Sequence, residues 1–524
     1  MKIKEPNEFF RDVKSKITKN DILSVVIVFL LGIINNFQFF ITEGVAPDAL
    51  SPADFNVAGT WEIQLGRFGI KYINLLRFGL VNKFLIILIS LAFLALAVVF
   101  ITRTFEIKNK IVIVIVSIIV AIAPQFTETY FFIYCADAYC FAFLTASLTI
   151  FFLKKAEKKK WNYIIAIICT ILTCSMYQAY LGVILGLTVI YAIDQLLKNR
   201  DIKQVILNAL KNTVVIGAGV ILYYAILKII LAVLETSLAS YKGANGLGLN
   251  TIKKLPESIF NAYKDFYRFF FTNKIINNTY YNRIKINLVI FVISFIGLII
   301  NLAKMDKDKK LLKIALIGIA IICFPIAVNI MNLVAPETKI NLVTGPGIIT
   351  PRIPSEIINH FNNNKLEDTL VSNIVKYMYI ILILILANTY VIENTFTYMC
   401  RQETYRNYYT IASDIYSKAT ELDEYSADKK WLFSNVIKFK ARDLERTNGF
   451  ISSDNETWNN YNGLAQNYGF FDKYLGIKIK ICTRDEYNKI VNSEEFKNMP
   501  IYPNNGSIKI INDIIVIKVS ENTL

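Results

Sequence analysis

The chain has 524 residues, of which 54% are hydrophobic and only 19% charged, against roughly 25% charged in an ordinary soluble domain. A formal net charge of +16 would suit nucleic acid, but the lysines cluster beside long apolar runs, which is the signature of membrane topology. The seven cysteines are odd in number, lie mostly inside apolar runs and lack metal-ligand spacing, so neither a disulfide framework nor a zinc site is indicated.

Residues 1–21 mix Lys2, Lys4, Arg11, Lys14, Lys16 and Lys19 with acidic residues and carry no small-residue cleavage site. They read as a cytoplasmic amphipathic segment with Phe9, Phe10, Val13 and Ile17 on one face, not as a signal peptide. A first span is expected over about 22–41, long enough for roughly 30 Å of hydrocarbon. Further apolar runs follow at about 80–101, 111–124, 131–153, 161–176, 179–197, 208–234, 284–303, 312–334 and 374–394. Lysine clusters at 154–160, 198–211 and 304–313 alternate with loops at 43–66 and 124–137 that hold no Lys or Arg. That alternation places the N-terminus and the basic loops in the cytoplasm of a multi-pass cell-membrane protein.

Simple alternation puts the chain after Ile392 in the cytoplasm as well. The stretch 341–358, broken by Pro346, Pro351 and Pro354, is a candidate degenerate or re-entrant span; counting it as a crossing moves the tail outside. The tail, 399–524, changes character. Tyr405 to Asp443 reads as helix, and Ile477 to Ile481 alternates as a strand. Thr483 and Glu486 form a capping box that opens a helix towards Lys497. Asn512-Asp513 reads as a two-residue hairpin turn. The fold class is therefore a polytopic α-helical membrane protein of about 10–11 transmembrane helices, 22–398, with a small C-terminal α+β domain. No internal repeat is visible.

The first outer loop, 42–79, is the informative segment. It presents Glu43, Asp48, Asp54 and Glu62 before any base, then Arg67, Lys71 and Arg77. Ile63, Phe68, Ile70 and Ile73 recur at roughly helical spacing, so Trp61 to Ile73 reads as one amphipathic helix lying along the outer membrane surface. Asp48 or Asp54 there suits a general base towards a sugar hydroxyl, and Arg67 suits a phosphate leaving group. From spacing alone a solvated acidic loop explains the same residues.

Asp137 lies near the outer end of an apolar run with no base close in sequence, a functional candidate at membrane depth unless it simply reaches headgroup water. Tyr177 and Gln178 sit at a break between two apolar runs, where a helix–helix polar contact competes with substrate contact. His360, the one histidine, lies in a polar stretch and reads as a loop residue. Glu257 to Phe271 reads as an aromatic interfacial helix.

These residues resemble the bacterial glucosyltransferase II family, membrane enzymes that decorate surface polysaccharides such as O-antigen. The resemblance rests on Asp48, on W-E-I-Q-L-G-R-F-G-I at Trp61 to Ile70, where members have a similar W-E-x-x-L-G-R-W-G, and on Y-Q-A-Y at Tyr177 to Tyr180. Y-L-G-I at Tyr474 to Ile477, N-M-P-I-Y-P at Asn498 to Pro503 and the terminal hairpin resemble the tail of a Gram-positive-type subgroup. Phe68 stands where Trp is usual, and the span near Pro346 is less apolar than in the family.

The resemblance implies a GT-C fold and a polyprenyl-phosphate-linked donor, usually glucose, used at the outer leaflet on a hydroxyl of a cell-surface polysaccharide or teichoic-acid-like acceptor. It implies Asp48 as base, Glu62 and Arg67 near the phosphate, Asp137 as the acidic residue of the second outer loop, and an extracytoplasmic tail. No particular cofactor is indicated; a divalent metal near Asp48 and Asp137 is compatible with the residues, although no ligand pattern demands one. The alternative is a lipid-linked glycan flippase or solute transporter, which would be expected to bury charges mid-span and show repeat symmetry.

Overall fold

The computed structural model describes residues 14–50, 55–239, 253–271, 283–305, 309–337, 340, 342–353, 370–435, 437 and 464–522. Asp54, His360 and the segment holding Phe9, Phe10 and Val13 lie outside the described residues.

Without water to bond the backbone, an apolar run at membrane depth satisfies its peptide groups internally, as a helix. Each run obeys. In chain order the helices are α1 (Lys19–Phe40), α2 (Thr60–Gln64), α3 (Ile70–Leu75), α4 (Lys83–Thr104), α5 (Lys110–Ala121), α6 (Pro124–Phe131), α7 (Ala136–Ala156), α8 (Asn162–Met176), α9 (Leu181–Leu197) and α10 (Ile202–Val233). They continue with α11 (Leu255–Phe271), α12 (Arg283–Ala303), α13 (Lys310–Val328), α14 (Met331–Val334) and α15 (Leu370–Thr420). Among the described residues nine helical stretches are long and apolar enough to cross a membrane, and α8 is a shorter apolar helix beside them. The chain is a multi-pass helical membrane protein.

Local chemistry sets the helix ends. Thr18 and Asp21 form a capping box at the start of α1, and Asn82, Asn109 and Asp201 cap α4, α5 and α10 through their side chains. Pro124 occupies the first turn of α6, where its missing N–H costs nothing. At the end of the bundle remote from the 42–82 loop, Arg103 pairs with Asp21 at 2.7 Å, Lys154 with Glu106 at 2.8 Å and Lys198 with Asp194 at 2.7 Å.

Two expectations change here. The stretch with three prolines forms no spanning helix among its described residues: Pro346–Arg352 is a 3-10 helix of seven residues, about 14 Å long at ~2.0 Å per residue, and Pro354 lies outside the described residues. Prolines withhold the N–H groups an α-helix needs, and Gly182 and Gly347 let its backbone press directly on α9. Second, α15 runs parallel to α1. Asn394 donates to Asn35 Oδ1, Tyr398 to Asn36 Oδ1, and Gln402 accepts from the Glu43 N–H, both sequences advancing together. The C-terminal end of α15 therefore emerges beside the 42–82 loop, against what simple alternation predicts.

Beyond α15 the expected helix to Asp443 stops at Thr420, and strand β1 (Lys430–Phe433) follows. The remaining elements are α16 (Leu464–Phe470), β2 (Lys480–Ile481), α17 (Arg484–Val491), α18 (Glu494–Lys497), β3 (Ile508–Ile511) and β4 (Ile514–Ile517). The sheet order is β2-β1-β4-β3, with β1 parallel to both neighbours and β3–β4 an antiparallel hairpin. Asn512 and Asp513 both take positive φ, 50° and 67°, as a two-residue hairpin turn requires. The Thr483–Glu486 capping box opens α17. Leu432, Tyr487, Ile490, Phe496, Ile514 and Val516 form the core beneath.

Candidate active site

The loop between α1 and α4 folds back over the bundle. The Ala46 N–H donates to Phe131 O at 3.0 Å, and the next residues form a 3-10 turn, Pro47–Ala49, that carries Asp48 exposed. Phe55 bridges Leu80 across the loop's neck. The single amphipathic helix expected over 61–73 is instead two short ones, α2 and α3. Gly66 between them takes φ 79°, a left-handed conformation. A Cβ there would lie 2.4 Å from Tyr223 Oη and 2.5 Å from Gln178 Nε2, so the turn also seats those two side chains.

Glu62 reaches back to accept from the Gly59 N–H at 2.8 Å, so its carboxylate is held at the head of α2. Arg67 follows the turn and enters the bundle. Its Nη1 donates to Tyr139 Oη at 3.0 Å, and its guanidinium carbon lies 4.4 Å from the centre of the Tyr177 ring. Tyr139 and Tyr177 stack at 4.5 Å and 17°, making an aromatic wall for the cation. Arg67 Nε is buried and makes no hydrogen bond among the described residues, nor does the side chain form an ion pair with a described carboxylate. The Tyr134 hydroxyl lies within electrostatic reach of Glu62, Asp48 and Arg67.

Asp137 is placed differently. Arg77 Nε donates to its Oδ2 at 2.9 Å, and both side chains are fully buried. Arg77 also donates to Leu80 O and Tyr134 O, each at 2.6 Å. The base that partners Asp137 was hidden by 60 residues of separation. Gln178 is likewise occupied with the loop: its Nε2 donates to Leu65 O at 2.8 Å and to Tyr223 Oη at 2.7 Å. Tyr223 in turn donates to Gly66 O at 2.8 Å and stacks on Phe68.

Sequence reasoning missed Tyr139, Tyr223 and Asn74. The last joins the Ala58 N–H to Tyr134 O, at 2.9 Å each, from a fully buried position. A polar residue inside the amphipathic pattern of α3 was the available signal. Among the described residues no three His, Cys, Asp or Glu side chains gather as a metal-binding group, and Asp137 is spent on Arg77.

Helices long and apolar enough to span a membrane, with a half-buried cation and a carboxylate-bearing loop at one end of the bundle, define a multi-pass membrane protein with a candidate site at that end. The chain belongs to the glucosyl transferase GtrII family, whose model matches residues 53–352. Membership makes it a glucosyltransferase by family. The match contains Glu62, Arg67, Asp137, Tyr177 and Gln178; Asp48 and the C-terminal domain lie outside it. No curated protein and no solved structure matches the chain.

Proposed function

We propose that this protein moves a sugar, glucose in the first instance, from a polyprenyl-phosphate donor to a hydroxyl of a cell-surface glycan at the outer leaflet, in a GT-C-type arrangement. The N-terminus and basic loops are then cytoplasmic, and the 42–82 loop and C-terminal domain extracytoplasmic. The observation that carries this reading is Arg67: a half-buried guanidinium with a buried Nε, set against two tyrosine rings and paired with no described carboxylate, in a family of glucosyltransferases. An arginine stays charged at any physiological pH, and a buried charge calls for a counter-ion. The phosphate of a lipid-linked sugar supplies one.

Asp48 accepts the proton of the acceptor hydroxyl as its oxygen attacks the anomeric carbon. The bond from that carbon to the phosphate oxygen breaks, and polyprenyl phosphate leaves with its new charge against Arg67. Glu62, fixed by the Gly59 N–H, faces the sugar. Asp137, Tyr177 and Gln178 act by position: Tyr177 backs Arg67, Gln178 seats the turn at Gly66, and Asp137 anchors Arg77.

The test is reconstitution in liposomes with polyprenyl-phosphate glucose and a glycan acceptor. Release of polyprenyl phosphate with transfer of the sugar is expected, and Asp48→Asn should slow it by about 10²–10⁴-fold. A protein that moves the lipid between leaflets without releasing polyprenyl phosphate would overturn the reading.

A further inference from the structure

The 43–50 strap that carries Asp48 is held from its outer side by elements that the family match does not include. Gln402 Oε1 accepts from the Glu43 N–H at 2.6 Å, and Tyr474 Oη donates to Glu43 O at 2.7 Å. Lys473 Nζ lies 3.5 Å from Ala49 O. Gly469 packs so closely on the far end that a Cβ would stand 2.9 Å from Leu50 O. The segment making these contacts is itself seated on α15: Tyr405 packs edge-on to Tyr474 at 4.7 Å, and Tyr408 to Phe470 at 4.5 Å. On its inner side the strap is tied by the bond from Ala46 to Phe131 described above, and the turn it leads into, Pro47–Ala49, is too short to hold a conformation by its own hydrogen bonds.

We propose that the C-terminal domain is a brace that positions Asp48: by holding 43–50 through Gln402, Tyr474 and Gly469, it keeps the carboxylate where the acceptor hydroxyl arrives. This rests on the reading of Asp48 as the base. Gln402, Tyr474 and Gly469 are positioning residues, acting through the strap and touching no substrate. Undocking the domain then slows the chemical step while leaving donor binding at Arg67 in place, because Arg67 is held by Tyr139, Tyr177 and the turn at Gly66 and not by Gln402, Tyr474 or Gly469. The brace also gives the domain's outer surface a route to the reaction: whatever displaces it displaces the base.

A cross-link reads docking without reading activity. The ideal Cβ of Gly469 lies 3.3 Å from Leu50 Cβ, just under the ~3.5–4.5 Å span of a disulfide. In the full-length protein in membranes, the Leu50→Cys/Gly469→Cys pair is expected to cross-link rapidly on mild oxidation, and the oxidised form to keep the transfer rate of its reduced form to within about twofold. Adding Gln402→Leu and Tyr474→Phe to the reduced pair removes two hydrogen bonds. It should slow cross-linking and lower kcat by about five- to thirtyfold with the donor KM unchanged, and oxidation should restore kcat.

A disulfide that stops transfer, or a Gln402→Leu/Tyr474→Phe protein that cross-links slowly yet turns over normally, would overturn the brace. If Asp48→Asn retains full transfer, the assignment of the base falls instead. The cross-linking and kcat measurements still decide whether the docked domain holds the loop.

Discussion

The two arginines at the ends of one short loop sit in opposite surroundings, Arg77 fully buried and Arg67 half-buried. Arg77 has its charge matched by Asp137 and its remaining donors taken by Leu80 O and Tyr134 O. Arg67, ten residues earlier, has a phenol, an aromatic face and an Nε with no described partner. A satisfied buried ion pair is a fastener, and its removal is felt as lost stability. A half-buried cation without an anion among the described residues adds little to stability and stays open to a charged ligand. The loop is thus anchored at one end and chemically open at the other.

Breaking the anchor should give the largest loss of stability. Asp137→Ala leaves Arg77 buried and uncompensated, and is expected to destabilise the protein by about 3–5 kcal/mol. Thermal unfolding in detergent, followed by intrinsic fluorescence, measures it. Replacing both partners with Met should recover much of that loss, because the pair's desolvation disappears together with its attraction. An Asp137→Ala protein that unfolds like wild type would mean the pair does not hold the loop.

Arg67 should behave in the reverse sense. Arg67→Met is expected to lower kcat/KM for a polyprenyl-phosphate sugar by about 10²–10³-fold, the cost of losing one strong donor to a developing negative charge. Its unfolding temperature should stay level or rise, since a half-buried charge without a described anion has gone. Arg67→Lys should rescue little, because a point charge on a flexible stem neither stacks on Tyr177 nor forks onto phosphate. Activity surviving Arg67→Met, or stability falling as far as in Asp137→Ala, would erase the distinction between the two arginines.

Much of this arrangement was legible from local pattern. The spans follow from apolar runs, the α17 capping box from Thr483 and Glu486, and the hairpin from Asn512-Asp513, because each depends on residues within one or two turns of the chain. The W-E-I-Q-L-G-R-F-G-I motif marked the loop. What was hidden depends on partners far away. Asp137 looked unpaired because Arg77 is brought to it by the fold of the loop, and the helix expected over 61–73 gave no hint of the hydroxyl and amide that fill the space above Gly66. The side on which the tail emerges was hidden for a similar reason. Hydropathy counts crossings, whereas the direction of α15 is set by the buried bonds of Asn394 and Tyr398 to α1 and by the bond of Gln402 to Glu43 just beyond it.

The subtlest test lies at the turn between the loop's two halves. Gly66→Ala places a methyl group against Tyr223 Oη and Gln178 Nε2 and asks an L-residue to hold φ 79°, which costs about 1–2 kcal/mol for the conformation alone. Tyr223→Phe removes the hydroxyl that the methyl would meet, along with its bond to Gly66 O. The two substitutions should therefore be less than additive, with a coupling of about 0.5–1.5 kcal/mol in a double-mutant cycle on thermal stability. If the turn also sets the height of Arg67, the donor KM should rise in Gly66→Ala and fall back partway in the double variant. Strict additivity would mean that Gly66 serves backbone conformation alone, and that the Tyr223–Gln178 pair does not set where Arg67 enters the bundle.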